Sequence, residues 1–127
     1  MKTKSKKKCI LVVEDESDLQ ELIGRKLERE NFTSICCKSV NDALSKLANQ
    51  VFDMIILDIK LEDGTGEDVI AYLKNKSSAN LNKKTPVLVI SGHMDAKLVD
   101  NIRDHIKDIL VKPFTQKSLI DKVKEFL

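Results

Sequence analysis

Five short apolar runs punctuate the chain, at 9–13, 33–37, 53–57, 86–90 and 108–111. The run Met54-Ile55-Ile56-Leu57 is far too short for a membrane and suits a strand buried on both faces. Between the runs, apolar residues recur at helical spacing. Leu19, Leu22, Ile23 and Leu27 form one stripe, and Val40, Ala43, Leu44, Leu47 and Ala48 a second. Val69, Ile70 and Leu73 form a shorter third after Gly64 and Gly66, and Leu98, Val99 and Ile102 a fourth. Leu119, Ile120, Val123, Phe126 and Leu127 make the last. Ser39 with Asp42 offers a variant capping box, and Asp95 and Thr115 are N-cap candidates. Segment 75–85 is expected to be a polar surface loop ending at Pro86.

Five strands alternating with five helices predict an α/β fold, a mostly parallel sheet covered on both faces. Right-handed crossovers leave few arrangements, and all of them bring the C-terminal strand ends to one edge. That edge collects reactive side chains: Glu14 and Asp15 after the first run, Asp58 after the third, Ser91 after the fourth and Lys112 after the fifth. Three carboxylates in a small space repel one another unless a cation sits among them, and hard oxygen ligands suit Mg2+. Cation, ammonium and hydroxyl together are what a transferring phosphoryl group requires, and a carboxylate such as Asp58 can accept one. Each residue also has an ordinary explanation. Acids such as Glu14 and Asp15 favour the start of a helix, Lys112 suits a surface, and Ser91-Gly92 suits a turn. The conjunction of all of them at strand ends favours a site.

Composition narrows the class. At 127 residues, 42% apolar and 33% charged, the chain is expected to be one soluble globular domain. It has no Trp and one Tyr, which argues against a base-stacking platform and against direct nucleic-acid binding by this domain. No apolar run approaches the roughly 20 residues of a spanning helix, and a secretory signal is not evident. The three cysteines fit no metal spacing, and Cys36 and Cys37 should face opposite sides of a strand, as buried thiols of a cytoplasmic protein. The formal charge is +2, but the lysines at 2, 4, 6, 7 and 8 carry +5, which leaves the rest at −3. Residues 1–8 therefore read as a basic disordered lead-in and 9–127 as the domain.

These motifs resemble a known family. Ile10-Leu11-Val12-Val13-Glu14-Asp15-Glu16, Asp58-Ile59-Lys60-Leu61 with Asp63-Gly64-Thr65-Gly66, Thr85-Pro86-Val87 leading to Ser91-Gly92, and Lys112-Pro113-Phe114-Thr115 are similar to the receiver domains of two-component response regulators, in the single-domain chemotaxis layout. The resemblance spans 9–127. It implies a flavodoxin-like (βα)5 fold with strand order 2-1-3-4-5. It implies a phosphorylation-controlled switch rather than an enzyme, with Asp58 as phosphoacceptor. Mg2+ would be held by Asp15, Asp58 and the backbone carbonyl of Lys60, and by Glu14 through water. Ser91 and Lys112 would contact the phosphoryl group, and the Lys112–Pro113 peptide would be cis. The donor would be a histidine kinase or histidine phosphotransfer protein. A downstream protein would read the face of the fourth and fifth helices and fifth strand, and the chain would be a monomer or weak dimer. Glu14 stands where the family often has Asp, Glu62 where Pro is common, and His105-Ile106 where Gly-Ala is frequent. Ile109 replaces the usual aromatic and is stiff at χ1. Lys60 and His93, each two residues after a site residue, either face solvent or are expected to crowd or polarise the path of the water that hydrolyses the phosphoryl group.

Other functions are weighed on the same residues. A degenerate receiver acting as a constitutive interaction module is opposed by the intact Asp58, Asp15 and Lys112. An FMN-binding carrier on this fold is opposed by the acidic loop Glu14-Asp15-Glu16 and by only 4% aromatics. An aspartyl phosphohydrolase would lack its second acid, because Lys60 stands there. A calcium loop at 58–69 fails on Lys60 and Val69.

Overall fold

A computed structural model describes residues 7–77, 79–93 and 95–127. In chain order the elements are β1 (Cys9–Val13), α1 (Ser17–Arg29), β2 (Thr33–Cys37), α2 (Val40–Asn49), β3 (Met54–Asp58), β4 (Lys60–Leu61), β5 (Gly64–Thr65), α3 (Gly66–Leu73), β6 (Val87–Ser91), α4 (Ala96–Ile102), a 3-10 turn (Arg103–His105), β7 (Asp108–Val111) and α5 (Gln116–Phe126). The main sheet is parallel throughout, in the order β2-β1-β3-β6-β7. With β6 and β7 counted as its fourth and fifth strands, this is the expected 2-1-3-4-5 order. The two-residue strands β4 and β5 form a separate antiparallel hairpin that periodicity is too short to signal.

Alternation along the strands builds two cores. Leu11, Val13, Ile55, Leu57 and Val89 face α2, α3 and the end of α4, where Ala43, Leu47, Val69, Ile70 and Ile102 meet them. Ile10, Val12, Met54, Ile56, Leu88 and Ile90 face α1 and α5, against Ile23, Leu27, Leu119, Ile120 and Val123. Each fully buried aliphatic side chain contributes about 2 kcal/mol. Cys37 joins the first core and Cys36 packs on the second, so the adjacent cysteines do face opposite sides.

The three expected caps form. Ser39, Asp95 and Thr115 accept from the backbone N–H groups of Asp42, Leu98 and Ser118 at 3.0, 2.8 and 3.0 Å. Asp63 adds a cap from a distance, its carboxylate accepting from Val40 N at 2.7 Å and Asn41 N at 3.2 Å.

Several expectations need correction. Leu22 is 43% exposed and Ala48 is exposed, because each lies at the margin of its helix's apolar stripe. Glu14 and Asp15 do not open a helix, since Glu16 is the N-cap of α1 and Ser17 its first residue. β3 and β6 run one residue further than the apolar pattern and take in Asp58 and Ser91. Segment 75–85 is not merely a surface loop. Asn80 and Asn82 are 3% and 1% exposed, and their amides satisfy backbone groups that water does not reach. Lys7 and Lys8 are exposed, while Lys2, Lys4 and Lys6 lie outside the described residues.

Candidate functional site

Register assembles the site. Val13 pairs with Leu57, so the next residues, Glu14 and Asp58, stand side by side at the sheet's C-terminal edge. Ser91 pairs with Val111, and Lys112 follows with its N–H donating to the Ser91 carbonyl at 2.8 Å. The carboxylates of Glu14, Asp15 and Asp58 each offer an oxygen within 4.8 Å of the others. Glu14 is fully buried, Asp58 nearly so, and Asp15 half-buried. Lys112 Nζ donates to Asp58 Oδ2 at 3.0 Å and lies 2.8 Å from Glu14 Oε1. The second contact is off the line of a hydrogen bond, so the buried Oε1 has no aligned donor.

Short-range contacts hold this edge in place. The Lys60 N–H donates to Asp58 Oδ1 at 3.2 Å, and the Glu16 N–H to Glu14 Oε2 at 3.0 Å. Ser91 Oγ donates to the His93 carbonyl at 2.8 Å and accepts from the His93 N–H at 3.2 Å. The side chains of Lys60 and His93 are exposed. The Lys112–Pro113 peptide is cis, as the resemblance implies.

Two contributors escape sequence reasoning. Gln20 Nε2 donates to the carbonyls of Glu14 and Cys37 at 3.0 and 3.1 Å, joining the ends of β1 and β2. A glutamine on a helix's polar side carries no signal of that kind. Gly66 backs onto Asp58: a Cβ there would lie 2.7 Å from the Asp58 carbonyl oxygen. Its N–H donates to the Ile59 carbonyl at 2.7 Å. Its only sequence signal is its place in the Asp63–Gly66 motif.

Charge is concentrated without balance. Burial pushes the Glu14 carboxyl up to about 7; Lys112 and the Glu16 amide pull it down, and Asp58 adds to the rise. Burial works to lower Lys112, but the carboxylates of Glu14 and Asp58 beside it outweigh that and raise it. Lys112 is therefore a cation in place, and Glu14 a carboxyl short of positive charge. The buried Oε1 without an aligned donor, beside two further carboxylates, fits a hard divalent cation.

A sequence profile of the response regulator receiver domain matches residues 10–124. The chain belongs to that family. Curated relatives of this receiver domain include the transcriptional regulatory protein ResD of Bacillus subtilis, 29% identical over 119 residues, covering 93% of the chain and 47% of that protein. The swarming motility regulation protein RssB of Serratia marcescens is 33% identical over 116 residues, covering 91% of the chain and 51% of that protein. The chain thus spans about half the length of these relatives. Among solved structures, the chemotaxis response regulator CheY4 of Vibrio cholerae superposes with a TM-score of 0.85 at 21% identity, over 96% of this chain and 100% of that one. The receiver domain of the sensor histidine kinase PA1611 of Pseudomonas aeruginosa gives 0.82 at 19% identity, over 95% and 98%. That structure has a magnesium ion coordinated in its active-site cleft. Receiver domains are phosphoacceptor switches rather than enzymes in the ordinary sense, and they bind Mg2+ through acidic residues.

Ile109, in place of the family's usual aromatic, is half-buried and packs against the first core. Among the described residues no helix is long and apolar enough to cross a membrane.

Proposed function

We propose that Asp58 is the phosphoacceptor of this receiver domain and takes its phosphoryl group from a phosphohistidine on a histidine kinase or phosphotransfer protein. The observation that carries this reading is Lys112 Nζ held between Asp58 and the buried Glu14. Asp15, Asp58 and the Lys60 carbonyl would hold Mg2+, with Glu14 reaching it through water. The ion would supply positive charge against the carboxylates and the incoming phosphate.

An Asp58 carboxylate oxygen attacks phosphorus, the N–P bond to the donor imidazole breaks, and an acyl phosphate forms on Asp58. The freed imidazole nitrogen takes its proton from solvent. Lys112 stays in place and exchanges its Asp58 oxygen for a phosphoryl oxygen. Ser91 leaves the His93 carbonyl and donates to a second phosphoryl oxygen. Glu14 keeps Lys112 from following Asp58 outward.

A hollow of about 390 Å3 beside the site, lined by Glu16, Leu19, Lys112, Pro113 and Phe114, gives the donor protein an apolar seat next to the reacting carboxylate. Output would be read on the face of α4, β7 and α5, where Val111 is 54% exposed and α4 buries only Ile102. The domain would span 9–127 and work in the cytoplasm.

Borohydride reduction of the phosphorylated protein, followed by peptide mapping, tests the assignment. Conversion of residue 58 to homoserine supports it. Conversion at another acidic residue removes it.

A further inference from the structure

A second concave site lies at the opposite edge of the sheet. It is a cleft of about 620 Å3 between the C-terminal end of α3, the start of β6 and the approach to β7. Val87 is the first residue of β6 and Lys107 immediately precedes β7, so the cleft sits where the strands begin, and Asp58 where they end. Its floor is apolar, with Leu73 and Val87 buried and Ile106 half-buried. Its rim carries Lys74, Lys76, Lys83, Lys84 and Lys107 against one acid, Asp104.

Lys112, Lys117, Lys122 and Lys124 each pair with a carboxylate. Among the described residues, no rim lysine has an acidic partner within ion-pair distance. Single lysines elsewhere, such as Lys38, Lys46, Lys60 and Lys97, also lack an acidic partner, but only here do five gather around one concavity among the described residues. Lys74, at the C-cap of α3, gains from the helix dipole, but that effect fades within one turn and does not reach Lys83, Lys84 or Lys107. Uncompensated like charges around one concavity repel one another, and an anion relieves that repulsion.

The rim is also anchored. Asn80 Nδ2 donates to the carbonyls of Tyr72, Leu73 and Asn75 at 3.3, 3.1 and 2.6 Å and closes the end of α3. Asn82 Nδ2 donates to the Leu47 and Gln50 carbonyls at 2.9 and 2.8 Å, and Asn82 Oδ1 accepts from Phe52 N at 2.8 Å. Thr85 Oγ1 donates to the Phe52 carbonyl at 3.1 Å. The backbone bearing Lys83 and Lys84 is thereby tied to α2 and to the connection before β3, so ligand binding need not order it.

We propose that this cleft binds a nucleotide-sized organic phosphate, its phosphates on the lysine rim and its flat or apolar body on Leu73, Val87 and Ile106. The volume falls in the range of small-molecule sites, and an apolar floor with a charged rim suits a ligand of two-part character. The recess encloses a ligand of nucleotide size, whereas a nucleic-acid strand would need a basic groove that tracks its backbone over several nucleotides.

The test is an amide-resolved NMR titration of the whole chain in magnesium-free buffer, with ATP, tripolyphosphate and adenosine as probes. ATP should give saturable shifts over residues 73–77, 83–87 and 104–107. Tripolyphosphate should bind more weakly and adenosine not measurably. Lys83→Glu with Lys84→Glu should weaken ATP at least about tenfold, and Lys83→Arg with Lys84→Arg should preserve it. Repetition on Asp58→Asn separates the cleft from anion binding at Lys112, so this proposal and the Asp58 assignment fail independently. Shifts elsewhere, no saturation, indifference to charge reversal, or equal binding of tripolyphosphate and ATP would overturn it. So would a cleft that takes a DNA duplex or polyglutamate but not ATP.

Discussion

Lys112 and Asp58, 54 positions apart in the chain, meet at 3.0 Å. Parallel strand register brings them there, and the same ammonium touches Glu14, which is fully buried. Replacing Lys112 by Ala leaves two buried carboxylates without their nearest cation. The variant should be about 2 kcal/mol less stable at about pH 8, below the full cost of breaking a buried pair because Lys112 is 22% exposed. At about pH 5.5 the loss should shrink, since Glu14 then carries a proton. Urea unfolding at the two pH values reads both. An equal loss at each would show that Glu14 is not part of the pair.

The raised Glu14 carboxyl sets a pH dependence of defined sign. Its folded value, about 7, lies above the ordinary 4.5, so between these values the folded state binds more protons than the unfolded one. Stability of the metal-free protein should therefore fall as pH rises from about 4.5 to about 7, and then level. A cation among Glu14, Asp15 and Asp58 favours their ionised forms. The Tm gained on adding Mg2+ should be larger at about pH 8 than at about pH 5.5. Thermal scans with and without Mg2+ check this, and equal gains would place the ion elsewhere.

How much of this was legible in the sequence follows from which interactions are periodic. The strands and their order could be read because burial on both faces leaves continuous apolar runs, and crossover handedness does the rest. Asp58, Asp15, Glu14, Ser91 and Lys112 were found because strand ends converge. The hairpin Lys60–Thr65, the bonds of Gln20 and the cap that Asp63 lends to α2 were not found. Each depends on one polar atom meeting one backbone group, which leaves no repeat to detect. Asn80 and Asn82 were misread for a related reason, since asparagine in a polar segment looks solvent-exposed until its backbone partners are known.

Gly66 supports Asp58 from behind. In Gly66→Ala the new Cβ would meet the Asp58 carbonyl oxygen at 2.7 Å, and a backbone atom cannot swing aside as a side chain can. The variant should lose about 1–3 kcal/mol and accept phosphate more slowly than its remaining fold would suggest. Chemical denaturation together with a phosphorylation time course separates the two effects.

Asn82→Ala removes bonds to Leu47, Gln50 and Phe52 and strands their buried backbone groups. A cost of about 3 kcal/mol is expected, with phosphorylation at the far edge intact. Hydrogen exchange should quicken over 79–85 before it does at β1 or β3.

Intact-mass spectrometry after incubation with Mg2+ and acetyl phosphate tests the central claim most directly. The protein should gain one phosphate, Asp58→Asn should gain none, and omission of Mg2+ should abolish the gain. A wild-type protein that stays unmodified, or an equal gain in Asp58→Asn, would contradict the assignment of Asp58.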